Sequence, residues 1–203
     1  MAKTGPAQNS SAPVAVLIAG PNGAGKSTAA PRLLKGALGV VEFLNADLIA
    51  LGLSPFDPDG AALAASDVMI RRMETLAAAR VSFGLETTLA ARTLAPRFVK
   101  LVSKGYQFHL VFLYLPSADL AVARVADRVK LGGHHVPEET VRRRYHAGLR
   151  NFFELYQPIT TTWQMFDNSQ AGSMNLIAAG TQGGKVRVAQ KTLWKHIEQE
   201  YRK

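Results

Sequence analysis

The segment from Gly20 to Ser27 reads GPNGAGKS, and its spacing G-x-x-x-x-G-K-S is that of a loop that binds nucleotide phosphates. Its glycines let backbone N–H groups converge on phosphate oxygens, Lys26 supplies a mobile positive charge, and the Ser27 hydroxyl can ligate magnesium. A helix that begins here adds the positive end of its dipole. We therefore expect ATP to bind through Gly20, Pro21, Asn22, Gly23, Ala24, Gly25, Lys26, Ser27 and Thr28.

The residues on both sides of this loop fit a phosphate-binding function. Val14–Ala19 reads VAVLIA, which is typical of a strand buried on both faces, and Lys26–Gly36 has the pattern of a helix that ends at glycine. A strand before the loop and a helix after it are the context that the motif requires. A glycine-rich turn with a chance lysine is the alternative, but a simple connection has little need of so many glycines.

Strands and helices alternate along the rest of the chain. This alternation predicts an α/β fold with a parallel sheet of about five strands and helices on both faces, in which ligands bind at the carboxyl ends of the strands. Residues 174–203 add a predicted hairpin and a terminal helix. The other predicted strands are Val40–Leu44, Val81–Leu85, Gln107–Leu115 and Thr161–Phe166, and the other predicted helices are Ala61–Ala79, Ala95–Lys104, Ser117–Leu131 and Glu138–Leu155.

Carboxylates follow the second and third predicted strands. Asp47 could accept the proton of an acceptor hydroxyl and lie near magnesium, or it could only cap the helix that follows. Glu86 is followed by Thr87 and Thr88, a set that suits a polyhydroxylated acceptor. Glu86 could instead ligate magnesium, orient a water, or lie at a solvated strand end. The longest strand ends at Pro116 without an acid, which favours kinases of small substrates.

Arginines are concentrated after the longest predicted strand. Arg124 and Arg128 are four residues apart on one helix and precede a Gly-Gly pair, which predicts a phosphate-clamping lid over about residues 124–150. An ordinary solvated helix face is the alternative. One of Arg142, Arg143 and Arg144 is expected to face the nucleotide from the next helix. The arginines assigned to ATP are Arg124, Arg128, Arg143 and Arg144.

Two other polar groups are less specific. His134 and His135 are adjacent in a predicted loop without a third ligand at metal spacing, so they are interpreted as loop residues. Asp167, Asn168 and Ser169 follow the fifth predicted strand, where they either contact the nucleotide base or form a turn.

Composition limits the possible classes of protein. The chain has 203 residues, 47% of them hydrophobic, which predicts one domain over residues 13–203 after a disordered tail over 1–12. It has no cysteine and no apolar run of transmembrane length, so we expect a cytoplasmic protein without a membrane partner. The net charge of +9 is spread over two interrupted basic groups, which makes a nucleic-acid partner the weaker interpretation.

From about Val14 to Ser169 the chain resembles the zeta-toxin kinases, P-loop phosphotransferases of the epsilon–zeta toxin–antitoxin systems. The first of the motifs that carry this resemblance is generic to P-loop proteins, whereas the other three together are specific. The motifs are GPNGAGKST at Gly20–Thr28, NAD at Asn45–Asp47, ETT at Glu86–Thr88, and RVADRVKLGGHHVPEETVRRRYHAGLRNFFELY at Arg124–Tyr156.

The resemblance implies a nucleoside-kinase-like fold and phosphorylation of a sugar hydroxyl with ATP and Mg²⁺, the acceptor being UDP-N-acetylglucosamine in the best-understood members. It implies that Asp47 is the catalytic base, assisted by Lys26 and Arg128. Arg128 with Arg143 or Arg144 would hold phosphates. A separate antitoxin protein is a possible partner. The residues assigned to the acceptor are Asp47, Glu86, Thr87, Thr88 and Arg92. Ser27 is assigned to Mg²⁺, with Asp47 as a second candidate.

Two further functions stay open on the sequence alone. The net charge and the basic residues between Lys191 and Lys203 fit a polynucleotide 5′-kinase or a nucleic-acid-stimulated ATPase. A non-catalytic module that binds ATP and a protein partner has the same phosphate-loop motif.

Overall fold

A computed structural model describes residues 12–170 and 172–202, so most of the predicted tail lies outside the described residues. The chain folds into one seven-stranded sheet in the order β2-β3-β1-β4-β5-β6-β7. The strands are β1 Val14–Ala19, β2 Glu42–Leu44, β3 Phe83–Thr87, β4 Gln107–Tyr114, β5 Thr162–Asp167, β6 Asn175–Thr181 and β7 Arg187–Val188. The helices are α1 Lys26–Pro31, α2 Ala46–Leu53, α3 Ala62–Ala78, α4 Ala95–Ser103, α5 Ala118–Lys130, α6 Glu138–Asn151 and α7 Lys191–Tyr201.

The five strands from β1 to β5 are parallel, as the alternation of strands and helices predicts. The predicted hairpin forms β6 and β7, which pair in antiparallel fashion, and β6 also pairs with β5. The sheet therefore has seven strands instead of about five. The hairpin extends the main sheet, so this end of the chain forms part of the same hydrogen-bonded framework.

β1 is buried on both faces, as its apolar sequence predicts. Leu17 points into the large hydrophobic core, which also contains Phe83 and Phe108. Val16 packs in a second cluster on the opposite face, with Leu34 from the segment after α1. A one-residue shift in register would exchange these two apolar sets between the faces and disrupt the packing of both clusters. The phosphate loop that follows β1 consequently starts from a fixed point.

Several predicted boundaries shift by one or two residues. The first helix continues past Pro31 as a π-helical segment, Arg32–Ala37, and α6 continues as another, Phe152–Tyr156, followed by a 3₁₀ turn over Gln157–Ile159. Glu86 was expected to follow the third strand, but it lies inside β3. Ser117 caps α5 as predicted, because its hydroxyl accepts a hydrogen bond from the Leu120 N–H.

α7 is held against the sheet by aromatic side chains. Trp194 stacks on Trp163 of β5 at 5.4 Å between ring centroids, and Tyr201 lies over His146 of α6. Both Trp194 and Tyr201 are buried. In the described ranges, no helix combines the length and the apolar character that a membrane span requires.

Candidate active site

The phosphate loop lies between the end of β1 and the start of α1, at the carboxyl edge of the parallel strands. Gly23 and Gly25 both have φ of +78°, a left-handed conformation that glycine adopts without steric cost. β1 pairs with β3 in a register that sets Ile18 against Glu86 and Ala19 against Thr87. Sheet pairing therefore brings Glu86 beside the loop, although they are far apart in sequence.

Lys26 is buried at the first position of α1. Its Nζ donates a hydrogen bond to the Pro21 carbonyl oxygen at 2.9 Å and lies 3.9 Å from Glu86 Oε1. Burial lowers the pKa of Lys26 below its usual value, whereas the Glu86 carboxylate opposes that shift. The ammonium is thus held at the loop by a carbonyl and a carboxylate, where a phosphate could replace part of this contact.

Glu86 is the centre of the hydrogen-bond network at this site. Ser27 Oγ donates to both of its carboxylate oxygens, at 3.1 and 2.9 Å, and Asn45 Nδ2 donates to Oε2 at 2.9 Å. Only 10% of the Glu86 side chain is exposed. The structure therefore brings together a hydroxyl, a carboxylate, an amide and the Lys26 ammonium at the edge of the sheet.

The Ser27 hydroxyl and the Glu86 carboxylate fit magnesium, since both are hard oxygen ligands and they already touch. Mg²⁺ is usually held by one or two such groups together with substrate phosphates and water. Within residues 12–170 and 172–202, no group of three or more His, Cys, Asp and Glu side chains could hold a metal by itself. Ser27 and Glu86 are thus the residues that could hold such an ion.

Asp47 lies in the first turn of α2, with its side chain exposed. The cap of this helix is Asn45, whose Oδ1 accepts hydrogen bonds from the Asp47 and Leu48 N–H groups at 2.9 and 3.2 Å. The alternative role of Asp47 as the helix cap is thus filled by another residue. Sequence reasoning missed Asn45, although asparagine between a strand and a helix is a favoured N-cap. Asp47 is near enough to Lys26 to raise the pKa of that lysine.

The predicted lid arginines differ in their surroundings. Arg128 and Arg144 lie near enough to Lys26 to lower the pKa of that lysine by charge repulsion. Arg128 Nη2 donates to the His134 carbonyl oxygen at 2.7 Å, and its buried Nε has no hydrogen-bond partner among the described residues. Arg144 is half-buried, whereas Arg143 is exposed. Two of the four predicted arginines thus lie close enough to the phosphate loop for their charge to act on Lys26.

Arg124 contacts the protein backbone. Its guanidinium donates to the carbonyl oxygens of Asn168 and Ser169 at 2.9 and 2.6 Å, and it lies 3.5 Å from the Gly23 carbonyl oxygen. Asn168 Nδ2 donates to the Ala24 carbonyl oxygen at 2.7 Å. Arg124 and Asn168 therefore join the segment after β5 to the phosphate loop, a contact that their sequence positions did not indicate.

The threonines that follow Glu86 stabilise their own turn. Thr87 Oγ1 accepts from the Leu89 N–H at 3.1 Å and Thr88 Oγ1 accepts from the Ala90 N–H at 3.4 Å, which leaves both hydroxyl protons available to donate. Leu89 is buried with φ of +57°. Asn151 of α6 donates to the Leu89 carbonyl oxygen at 2.7 Å, so the turn is fixed from the end of α6.

Arg92 was predicted to bind the acceptor, and it follows Thr88 in the chain after residues 89–91. Its guanidinium is 3.5 Å from Glu154 and 66% of its side chain is exposed. An exposed ion pair of this kind contributes little to stability. The side chain is free to exchange Glu154 for a ligand, but the structure does not bring it to the Glu86 network.

Comparison with known proteins agrees with this arrangement. The model of an AAA domain family, AAA_33, matches residues 16–152, which includes the phosphate loop, both acids and the predicted lid. The chain belongs to this family. An uncharacterized protein of Haemophilus influenzae is 29% identical over 131 residues, which cover 64% of this chain and 91% of that protein.

Solved structures show the same fold at low sequence identity. A chain of the AvrRxo1-ORF1:AvrRxo1-ORF2 complex with sulphate ions has a TM-score of 0.74 and 17% identity over 93% of this chain. The present chain spans 64% of the length of that protein. The same complex crystallised with ATP gives a TM-score of 0.71 with 16% identity over 93% of this chain and 64% of that chain.

A structure of the PezAT chromosomal toxin–antitoxin system of Streptococcus pneumoniae has a TM-score of 0.60 with 15% identity, covering 95% of this chain and 87% of that one. The protein thus has a P-loop α/β fold that is similar to the folds in the AvrRxo1-ORF1:AvrRxo1-ORF2 and PezAT structures. The fold implied by the resemblance to the zeta-toxin kinases is confirmed.

Proposed function

We propose that this protein is a Mg²⁺-dependent kinase that transfers the γ-phosphoryl group of ATP to a hydroxyl of a small acceptor, a nucleotide sugar such as UDP-N-acetylglucosamine. The observation that carries the proposal is the network of Lys26, Ser27 and Glu86 at the phosphate loop, with Asp47 at the start of the adjacent helix. Phosphoryl transfer requires positioning and charge more than covalent chemistry from the protein. This network supplies both.

On the donor side, the backbone of residues 20–25 and the Lys26 ammonium would bind the β- and γ-phosphates of ATP. Ser27 and Glu86 would hold Mg²⁺, which neutralises charge on the phosphates when it is bound. Arg128 and Arg144 would add positive charge from the predicted lid, because both are close enough to Lys26 to lower its pKa. The AvrRxo1-ORF1:AvrRxo1-ORF2 complex crystallised with ATP supports nucleotide binding by this fold.

On the acceptor side, Asp47 would accept the proton of the attacking hydroxyl. Its exposed carboxylate and its influence on the pKa of Lys26 are both consistent with a position between solvent and the phosphate loop. Thr87 and Thr88 would donate their free hydroxyl protons to the acceptor, with Arg92 further along the same segment. The position of Glu86 beside Ser27 favours its role at the metal over direct binding of the sugar.

We further propose that a separate antitoxin protein binds this chain in the cytoplasm. The fold of the PezAT toxin–antitoxin structure supports a partner of that kind. Co-expression with the neighbouring open reading frame and purification through a tag on this chain would test it. A co-purifying protein that stops growth inhibition supports an antitoxin, whereas a chain that is harmless and purifies alone contradicts this part of the proposal.

The decisive variant is Asp47→Asn, which keeps the shape of the side chain and removes the base. Transfer should fall about 100- to 10,000-fold, while ATP binding stays near that of the wild type. Asp67→Asn is the control, because Asp67 is an exposed acid on α3. Product formation is measured by mass spectrometry with UDP-N-acetylglucosamine and a panel of other hydroxylated acceptors. A wild-type transfer rate in Asp47→Asn would show the mechanism to be wrong.

The same assay separates the other functions. A polynucleotide kinase would bind oligonucleotides at low salt with an affinity that falls steeply as salt rises. A non-catalytic module would bind ATP tightly without turnover on any acceptor in the panel. Either result would replace the proposed function.

A further inference from the structure

Asn45 touches both halves of the proposed active site through one side chain. Its Oδ1 accepts from the backbone N–H groups of Asp47 and Leu48, and its Nδ2 donates to Glu86 Oε2 at 2.9 Å. The orientation of the amide follows from these partners, since N–H groups face the oxygen and a carboxylate faces the nitrogen. Only 6% of the residue is exposed, so water does not compete strongly for these bonds.

The sheet register explains why one side chain can join these two acids. β2 and β3 pair in parallel only as far as Leu44 and Leu85, so Asn45 and Glu86 are the next positions along the pair. There the chain of β2 turns away into α2, which carries Asp47. The Asn45–Glu86 hydrogen bond thus joins β2 and β3 one residue beyond the last backbone pair, next to the two acids.

We propose that Asn45 is a positioning residue that fixes Glu86, and therefore the Mg²⁺ site, relative to the helix that carries Asp47. This inference rests on the proposed function, in which Glu86 and Ser27 hold the metal. A residue that orients a metal ligand is commonly worth 10- to 100-fold in metal affinity or activity. Asn45 does so for Glu86 and, through the first turn of α2, also sets the position of Asp47.

Helix capping alone does not account for asparagine at this position. Capping needs only an acceptor, and aspartate or serine caps about as well. Ser117 performs that task for α5 with a single hydrogen bond from the Leu120 N–H. The additional feature of Asn45 is its NH₂ group, because an aspartate here would set a second carboxylate against Glu86. The bond to Glu86 is therefore the part of the arrangement that requires an amide.

Two substitutions separate the bond to Glu86 from the cap. Asn45→Asp keeps the capping acceptor, loses the donor and adds a negative charge, whereas Asn45→Ser keeps a cap and removes the reach to Glu86 without adding charge. Ser117→Ala is the matched control, because it removes a cap of similar kind away from the acids. The readouts are Mg²⁺-dependent binding of a fluorescent ATP analogue, the melting temperature, and phosphotransfer.

For both Asn45 variants, the Mg²⁺ concentration at half-maximal binding of the ATP analogue should rise about 10- to 100-fold, with a larger change for Asn45→Asp. Ser117→Ala should lower the melting temperature by about 2–4 °C and leave the Mg²⁺ requirement unchanged. A wild-type Mg²⁺ requirement in Asn45→Ser, or in a folded Asn45→Asp, would overturn the inference. An equal rise in Ser117→Ala would overturn it too, since the effect would then come from loss of a cap.

The binding readout keeps this inference distinct from the proposed function. If the wild-type protein binds the Mg²⁺–ATP analogue but phosphorylates no acceptor, the proposed kinase activity is wrong. The role of Asn45 at the metal site is then still decided by the shift in the Mg²⁺ titration. If transfer occurs and the titration does not shift, the activity stands and the role of Asn45 is wrong.

Discussion

The phosphate loop and the predicted lid differ in how fully their polar side chains are bonded. Lys26, Glu86 and Asn45 are largely buried and joined to one another by hydrogen bonds or ion pairing. Arg128 of α5 instead bonds to the His134 carbonyl oxygen in the loop after that helix, and Arg143 is exposed to solvent. We therefore expect the donor half to be preformed and the predicted lid to rearrange when phosphates arrive.

The segment after Glu86, over residues 87–92, carries the proposed acceptor residues and is called the acceptor segment; its contacts are with α6 and the π-helical segment that follows. Asn151 holds the Leu89 and Ala90 carbonyl oxygens, and Tyr156 donates to the Ala91 carbonyl oxygen at 3.2 Å. Both side chains come from α6 and the π-helical segment that follows it. Movement of the lid helix is therefore expected to reach the acceptor segment, while the donor half keeps its own network.

The largest effect in the preformed half is expected from Lys26→Met, which keeps an apolar side chain of similar length and removes the charge. Transfer should fall about 100- to 1,000-fold, because one preorganised group that stabilises developing charge is lost. ATP affinity, measured by calorimetry, should fall as well. Lys35→Met is the control, since Lys35 is exposed in the segment after α1. Equal losses of transfer in both variants would mean that the effect comes from general surface charge and not from a preformed site.

A smaller effect is expected in the lid, where Arg144→Gln and Arg143→Gln form a matched pair. Arg144 is half-buried and lowers the pKa of Lys26, whereas Arg143 is exposed. Loss of a charge-assisted hydrogen bond to a phosphate costs about 1.5–3 kcal/mol, so Arg144→Gln should reduce kcat/KM about 10- to 100-fold. Arg143→Gln should change it little. A reversed order would mean that the lid turns the other face of α6 toward ATP.

The smallest predicted effect is on stability, through the contact of α6 with the acceptor segment. A Cβ at Gly148 would lie 2.3 Å from the Thr88 carbonyl oxygen, so Gly148→Ala should lower the unfolding free energy by about 1–3 kcal/mol. The KM for the acceptor should rise more than the KM for ATP. Gly36→Ala, where a Cβ meets nothing within 4 Å, should leave stability equal or slightly higher. Urea denaturation measures the unfolding free energy, and steady-state kinetics measures the two KM values. Equal changes in the KM for the acceptor and the KM for ATP would show that α6 does not act on the acceptor segment.

Local patterns were sufficient to predict the parallel part of the sheet and the phosphate loop. The apolar run of β1, the glycines before Lys26 and the cap at Ser117 each act over a few residues, so they can be recognised in sequence. The same is true of Glu86 as a candidate, because it ends an apolar run. Its contact with Ser27 depends on the pairing of β1 with β3. The predicted strands allow this pairing, but the register of the pair decides which residues meet.

Other features depend on contacts between distant parts of the chain. The hairpin joins the main sheet because β6 pairs with β5, and nothing in its local sequence names that partner. Arg124 has the spacing of a lid residue, but its guanidinium is held by carbonyl oxygens after β5. The capping role of Asn45 could have been predicted from the preference for asparagine at helix N-caps. Its bond to Glu86 could not, because it requires the end of the β2–β3 ladder.

The most direct test of the central claim uses ATP labelled with ¹⁸O in the γ-phosphoryl group. The wild-type protein and the Asp47→Asn variant are each incubated with Mg²⁺, labelled ATP and a metabolite extract, and the products are identified by mass spectrometry. The account predicts one labelled phosphoryl ester of a small hydroxylated acceptor with the wild type and almost none with Asp47→Asn. Label found only in inorganic phosphate, or equally in both reactions, would contradict it.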